Sequence, residues 1–77
     1  MTTNEEKLKN SFQETTADFA CILGWLQDEL ERYENEKTTW GKVSNLRYAR
    51  KNLIETLGFL SNSKNSEIET ALEELRM

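Results

Sequence analysis

Apolar residues recur along the first half of the chain at the spacing of an α-helix. From Phe19 to Tyr33 they follow steps of four, three, four and three residues, the heptad seam of a helix that packs against another helix. Thr3 and Glu6 stand at capping-box spacing ahead of this run. The pattern predicts a first helix from about residue 3 to about residue 35. Its apolar positions are Leu8, Phe12, Phe19, Leu23, Leu26, Leu30 and Tyr33.

A second apolar stripe follows a short polar stretch. Residues 34–39 are polar, and either Thr38 or Thr39 is suited to cap a new helix. The stripe predicts a helix from about residue 39 to residue 60, with Ile54 on its margin. Because the connection is short, we expect the first two helices to pack as an antiparallel hairpin. The members of the stripe are Val43, Leu46, Ala49, Leu53, Leu57 and Leu60.

The end of the chain predicts a third, shorter helix. Residues 61–66 have the composition of a loop, and Ser66 and Glu69 again have capping-box spacing. The helix is expected over about residues 66–76, with Ile68, Ala71, Leu72 and Leu75 on one side. The fold class predicted for residues 1–77 is therefore a single all-α domain: an antiparallel helical hairpin plus a short C-terminal helix.

The length of the chain indicates that association completes this small bundle. A chain of 77 residues buries only about 60% of its unfolded surface, so its own core is marginal. Small proteins compensate with disulfides, a metal or association. Cys21 is the single cysteine and histidine is absent, which excludes an internal disulfide and argues against zinc. Association, as a coiled-coil-like dimer or with another protein, is what remains.

The sequence lacks the residue patterns of catalysis. Without histidine, the commonest general acid or base is missing. Cys21 lies in an apolar helical context without a neighbouring base, where a thiol is usually inert. No glycine-rich phosphate loop is present. We therefore expect a protein that is not an enzyme and holds neither a cofactor nor a metal.

Hydropathy and charge indicate a cytoplasmic protein. No stretch resembles a signal peptide, and the longest apolar run, residues 19–26, is shorter than the roughly 20 residues that span a bilayer. We expect no membrane contact. The net charge of −4 argues against a general nucleic-acid binder.

One segment of the first helix has more apolar surface than a single packed face requires. Among residues 17–26 only Asp18 is charged. The small residues of this segment lie opposite the seam, where they allow another backbone to approach closely. The sequence predicts a partner-binding surface there, although a third helix that folds back would also cover it. This surface, the back face, consists of Ala17, Ala20, Cys21, Gly24 and the flanking Trp25.

The second helix carries two further features. Tyr48 and Phe59 project away from its stripe among charged residues, a composition typical of interaction surfaces. They are alternatively ordinary exposed aromatics, or Phe59 meets the third helix. Arg50 falls inside the stripe; either its stem packs while its head reaches a carboxylate, or it is a buried charge paired across an interface.

The charges are segregated along the chain. Residues 28–36 carry five acids and one base, and residues 37–51 carry five bases and no acid. In an antiparallel hairpin these blocks face each other, and internal pairing explains them. The alternative is a basic surface that contacts an anion or a partner through Arg47, Arg50 and Lys51.

Together these patterns favour a non-enzymatic interaction module. It would be a chaperone, adaptor or inhibitor-type regulator that presents a helical hairpin to a protein partner or to itself as a dimer. The alternative is a nucleic-acid-linked regulatory protein that uses the basic residues 37–51.

Overall fold

The computed structural model describes residues 3–76 and places them in three helices. These are α1 (Asn4–Asn35), α2 (Trp40–Ser61) and α3 (Asn65–Arg76), and no strand occurs within the described residues. The all-α class is confirmed, and each helix begins and ends within about one residue of its predicted bounds, the usual uncertainty of helix ends. Helix α1 forms one compact unit, and α2 with α3 forms another. The antiparallel packing of the first two helices stays a prediction.

Helix α1 begins at the predicted cap. Thr3 has an extended backbone, and its hydroxyl accepts a hydrogen bond of 3.1 Å from the amide of Glu6. Glu5 and Glu6 place negative charge in the first turn, where the helix dipole favours it. The 32 residues of α1 extend for about 48 Å at 1.5 Å per residue. None of them is buried.

Helix α2 is defined by a polar cap at each end. Of the two possible N-caps, Thr39 is the one used: its hydroxyl accepts a hydrogen bond of 3.2 Å from the amide of Lys42. At the other end Asn62 adopts a left-handed conformation, with φ 57° and ψ 38°. The amides of Asn62 and Ser63 both donate to the carbonyl of Gly58, which satisfies the last turn.

The packing of α3 against α2 creates the one small core in the described residues. Ile54 is 7% exposed and Gly58 is also buried, while Ile68 and Leu72 of α3 are half-buried. A Cβ added to Gly58 would lie 2.9 Å from the carbonyl oxygen of Ser63. Glycine is therefore required for α3 to begin this close to α2.

The core that α2 forms with α3 lies beside the predicted stripe and is not part of it. Ile54, expected on the margin, is the core residue, whereas four leucines of the stripe stay 40–63% exposed. Ile54 and Gly58 are one helical turn apart, on a row about 90° around α2 from those leucines. The loop of residues 62–64 brings α3 to that row. The exposed set, which we call the leucine face, is Leu46, Leu53, Leu57 and Leu60.

The start of α3 also differs from its prediction. The helix begins at Asn65, and the carbonyl of Lys64 accepts hydrogen bonds from the amides of Glu67 and Ile68. Ser66 therefore lies inside the first turn and is not the cap. Two residues expected on the apolar side of α3, Ala71 and Leu75, are exposed, whereas Ile68 and Leu72 are half-buried.

Candidate interaction surfaces

The heptad residues of α1 are accessible along its length. Phe19, Leu23, Leu26 and Leu30 are 39–46% exposed. With Tyr33, which is half-buried, they form what we call the α1 seam. Apolar residues at this spacing are typical of a helix that inserts its side chains between those of a facing helix.

The back face of α1 is also accessible. Ala17, Cys21 and Trp25 are exposed, with Trp25 at 66%, and Gly24 is half-buried. A Cβ added to Gly24 would meet no atom within 4 Å. The predicted surface thus combines a flat stretch of small residues with a large indole beside it.

The C-terminal part of α1 is acidic because residues 28–36 carry five acids and one base. Arg32 donates to Glu29 at 2.7 and 3.1 Å and to Glu36 at 3.2 Å, and its guanidinium carbon lies 5.2 Å from the centre of the Tyr33 ring. The hydrogen bond that Arg32 donates to the Glu29 carboxylate is the main cause that raises the pKa of Arg32. Acidic side chains outnumber basic ones in residues 28–36, and this acidic stretch lies beside the α1 seam.

Helix α2 presents the leucine face next to basic side chains. In the heptad that Leu46, Leu53 and Leu57 define, Arg47 and Lys42 take the two flanking positions. Helix α2 contains four bases and one acid. Basic side chains therefore flank the leucine face, whereas acidic side chains flank the α1 seam.

An ion pair between Arg50 and Glu69 links α3 to α2. The two terminal nitrogens of Arg50 donate to the two carboxylate oxygens of Glu69, at 2.7 and 3.0 Å. Both side chains are half-buried. The part of the interpretation in which the head of Arg50 reaches a carboxylate is thus confirmed. Because Glu69 occupies the guanidinium, Arg50 is poorly placed to bind an external anion.

The docking of α3 should weaken at acidic pH. The hydrogen bond from Arg50 holds the pKa of Glu69 below its ordinary value of 4.5, and the charges of Arg50 and Arg76 lower it further. A carboxylate with a lowered pKa stabilises the folded state fully above its unfolded pKa, and this contribution is lost as the pH falls through the folded pKa. Urea unfolding followed by circular dichroism between pH 7 and pH 3 measures the loss.

The Glu69→Gln variant is the control for this dependence. It should be less stable than the wild type at pH 7 and should lose less stability on acidification, since glutamine has no proton to gain. Identical pH profiles for the two proteins would show that Glu69 does not contribute. The difference between the two profiles is the relevant quantity, because it isolates the contribution of the Glu69 carboxyl group.

Three aromatic side chains of α2 are strongly exposed. Tyr48 is 70% exposed, Phe59 is 85% exposed, and Trp40, the first residue of the helix, is 80% exposed. The alternative that Phe59 meets the third helix is wrong, because α3 packs on the row of Ile54 and Gly58. Tyr48 and Phe59 lie on a side of α2 that is roughly opposite the leucine face at 100° per residue.

The other two basic candidate residues, Arg47 and Lys51, are exposed on α2.

No group of three or more acidic or thiol side chains within residues 3–76 is arranged to hold a metal ion. Nor does any helix in this part of the chain combine the length and apolar character that crossing a membrane requires.

No protein-family model matches the chain, and no curated protein or solved structure matches it significantly. Its surfaces are therefore the basis on which a function is proposed.

Three residues with structural roles were not recognised from the sequence. Ile54 and Gly58 form the core with α3, and Glu69 binds Arg50. A signal for them exists in retrospect: Arg50, Ile54 and Gly58 are spaced four residues apart and line one row of α2. The leucines, which are larger and more numerous, define the stronger periodicity.

Proposed function

We propose that the protein is a small, non-enzymatic interaction module that packs its exposed helical faces against another protein chain. One observation carries this proposal. Ile54 is the single hydrophobic side chain buried in the described residues, whereas the α1 seam and the leucine face are both largely accessible. An adaptor, chaperone or inhibitor-type regulator with such exposed helical faces would bind its partner through them, and the same contact would order its helices.

The stability of helices supports this reading. In proteins, helices owe most of their stability to the packing of an amphipathic face and little to intrinsic propensity. Helix α1 has 32 residues and none is buried. A partner that covers the α1 seam would supply the packing that this helix lacks.

The back face offers a second contact, with Trp25 as its anchor. Tryptophan is enriched among the residues that dominate binding energy, because it buries a large rigid surface. The neighbouring small residues Ala17, Cys21 and Gly24 would let a partner backbone approach the indole closely. Tyr48 and Phe59 are candidates for contacts at the edge of the same complex.

Replacing Trp25 with alanine should weaken association by about tenfold or more, since hot-spot residues contribute about 2 kcal/mol or more. The helix content should stay nearly unchanged, because Trp25 is 66% exposed. Sedimentation equilibrium of the purified protein, alone and with any protein that co-purifies from its native host, measures association. Circular dichroism measures the helix content.

Trp40→Ala is the matched control. It removes an indole of even greater exposure, 80%, from the first turn of α2, outside the faces proposed to bind. It should leave association intact. If Trp25→Ala instead lowered helicity in proportion to binding, Trp25 would be a core residue; unaltered binding would remove it from the contact.

A further inference from the structure

We infer that the side of α2 which α3 covers is a binding site for an acidic amphipathic helix of another protein, and that α3 occupies this site as an intramolecular competitor. The site consists of Arg50, Ile54 and Gly58, which we call the covered row. It is distinct from the exposed faces on which the proposed function rests, and it lies within the unit that α2 and α3 form.

The covered row presents three different features along one side of α2. Because its members are four residues apart, they lie one above the other on successive turns. Arg50 supplies two donors, Ile54 supplies a buried apolar surface, and Gly58 leaves a notch without a side chain. Another helix can approach α2 closely at the notch, and a carboxylate on that helix can satisfy the guanidinium with two hydrogen bonds.

Helix α3 shows which ligand fits the covered row. Glu69 accepts both hydrogen bonds from Arg50, at 2.7 and 3.0 Å. The Cδ1 atom of Ile68 lies 3.6 Å from the point that a Cβ on Gly58 would occupy. Leu72, three residues after Glu69, is half-buried. The pattern that fits is therefore an isoleucine and a glutamate in adjacent positions, followed by a leucine one turn later.

Charge favours an acidic ligand for the same site. Helix α2 contains four bases and one acid, whereas α3 contains four acids and one base. A basic or neutral helix would leave the half-buried guanidinium of Arg50 without its carboxylate, which disfavours such helices. An acidic helix reproduces the complementarity that α3 already has.

Helix α3 is a ligand that can be displaced. It has 12 residues, and isolated helices of about this length are marginal in water. Its docking relies on a small apolar contact around Ile54 and on one ion pair. Its advantage is the tether of residues 62–64, since a short linker gives an effective concentration on the order of millimolar. A helix that is already ordered within its own protein avoids the cost of folding and can therefore replace α3.

A labelled peptide with the sequence of residues 65–76, added to the full chain, tests this inference. In the wild type the tethered α3 competes with the peptide. Ile68→Ala weakens α3 and leaves the covered row unchanged, so this variant should bind the peptide about tenfold or more tightly than the wild type does. Fluorescence anisotropy gives the dissociation constants. In amide NMR spectra the signals of the covered row should shift, and those of α3 in the chain should move to the positions of an unfolded segment.

Leu75→Ala is the matched control, because it truncates a side chain of α3 that is 82% exposed. It should bind the peptide as weakly as the wild type. The amide chemical shifts of α2 report whether this helix persists in each variant. Two results for Ile68→Ala would overturn the inference: loss of the α2 helix, or an intact α2 that binds the peptide no more tightly than Leu75→Ala.

The part played by Arg50 is tested with a second peptide that carries Glu69→Gln. This peptide offers no carboxylate, so it should bind the Ile68→Ala chain about threefold or more weakly than the first peptide. In a chain that combines Ile68→Ala with Arg50→Gln, the two peptides should bind equally. A preference that survived the loss of the guanidinium would contradict the recognition of an acid by Arg50.

The remaining outcomes separate this inference from the proposed function. Suppose that the peptide bound all three chains equally and shifted the amides of the leucine face instead of the covered row. That result would support binding through the exposed faces and would overturn the covered row as a site. Conversely, peptide binding at the covered row, together with unaltered association of Trp25→Ala, would keep this inference and remove Trp25 from the proposed contact.

Discussion

Replacing Ile54 with alanine should lower the free energy of unfolding of the α2–α3 unit by about 2–4 kcal/mol, the usual cost of truncating a buried isoleucine. Ile54 is the buried hydrophobic side chain of the unit in which Ile68 and Leu72 of α3 are half-buried. Without the Ile54 side chain, the Arg50–Glu69 ion pair would be the main remaining contact between α3 and α2. Urea unfolding measures the loss, and hydrogen exchange of the α3 amides should show that this helix detaches first.

Leu75→Ala is the comparison for this variant. Leu75 belongs to α3 but is 82% exposed, so its truncation should change stability by about 0.5 kcal/mol or less. The experiment should be repeated at several protein concentrations, since a defect in internal packing persists at every concentration. Equal losses for the two variants would contradict the assignment of Ile54 as the core.

The second large effect is expected at Gly58. An alanine there would bring its Cβ to 2.9 Å from the backbone oxygen of Ser63 and from the side-chain oxygen of Asn65. The asparagine side chain can rotate away, but the carbonyl belongs to the loop that starts α3. We therefore expect Gly58→Ala to destabilise the α2–α3 unit by about 1–3 kcal/mol, the typical cost of overpacking. Urea unfolding and the exchange rates of the α3 amides measure it.

Gly24 provides the opposite case in the same protein. A Cβ there meets nothing within 4 Å, so Gly24→Ala should strengthen α1 by up to about 1 kcal/mol through helix propensity. Glycine-to-alanine substitution should thus lower the stability of the protein at Gly58 and raise it at Gly24. A stabilised Gly58→Ala protein would show that α3 does not approach α2 as closely as the structure indicates. A more helical but less associated Gly24→Ala protein would locate a partner on the back face.

The helices were predictable because their signals are local. Thr3 and Thr39 are caps whose hydroxyls bond amides three residues on, and a cap of this kind is readable from sequence spacing. The apolar period likewise identified the α1 seam and the leucine face. These features depend on neighbours within one or two turns, which is the range over which a sequence pattern determines structure.

The side of α2 that α3 covers was not predictable in the same way. It depends on the left-handed conformation of Asn62 and on the missing side chain of Gly58, which together direct the loop towards Ile54. Glu69 was expected in a capping box with Ser66, and in the structure it instead accepts hydrogen bonds from Arg50. For the candidate site, the sequence correctly anticipated a carboxylate for Arg50. Binding at the back face would depend on the surface of another molecule, which this chain's local pattern does not encode.

The connection between α2 and α3 has a kinetic consequence. Residues 62–64 join them, so the contacts of Ile54 and Gly58 with α3 close loops of few residues. Low contact order of this kind is associated with folding in microseconds to milliseconds. Ordering of the α2–α3 unit would thus be complete long before two chains meet at micromolar concentration. Binding of a partner chain would then be a bimolecular step, with its rate set by encounter frequency.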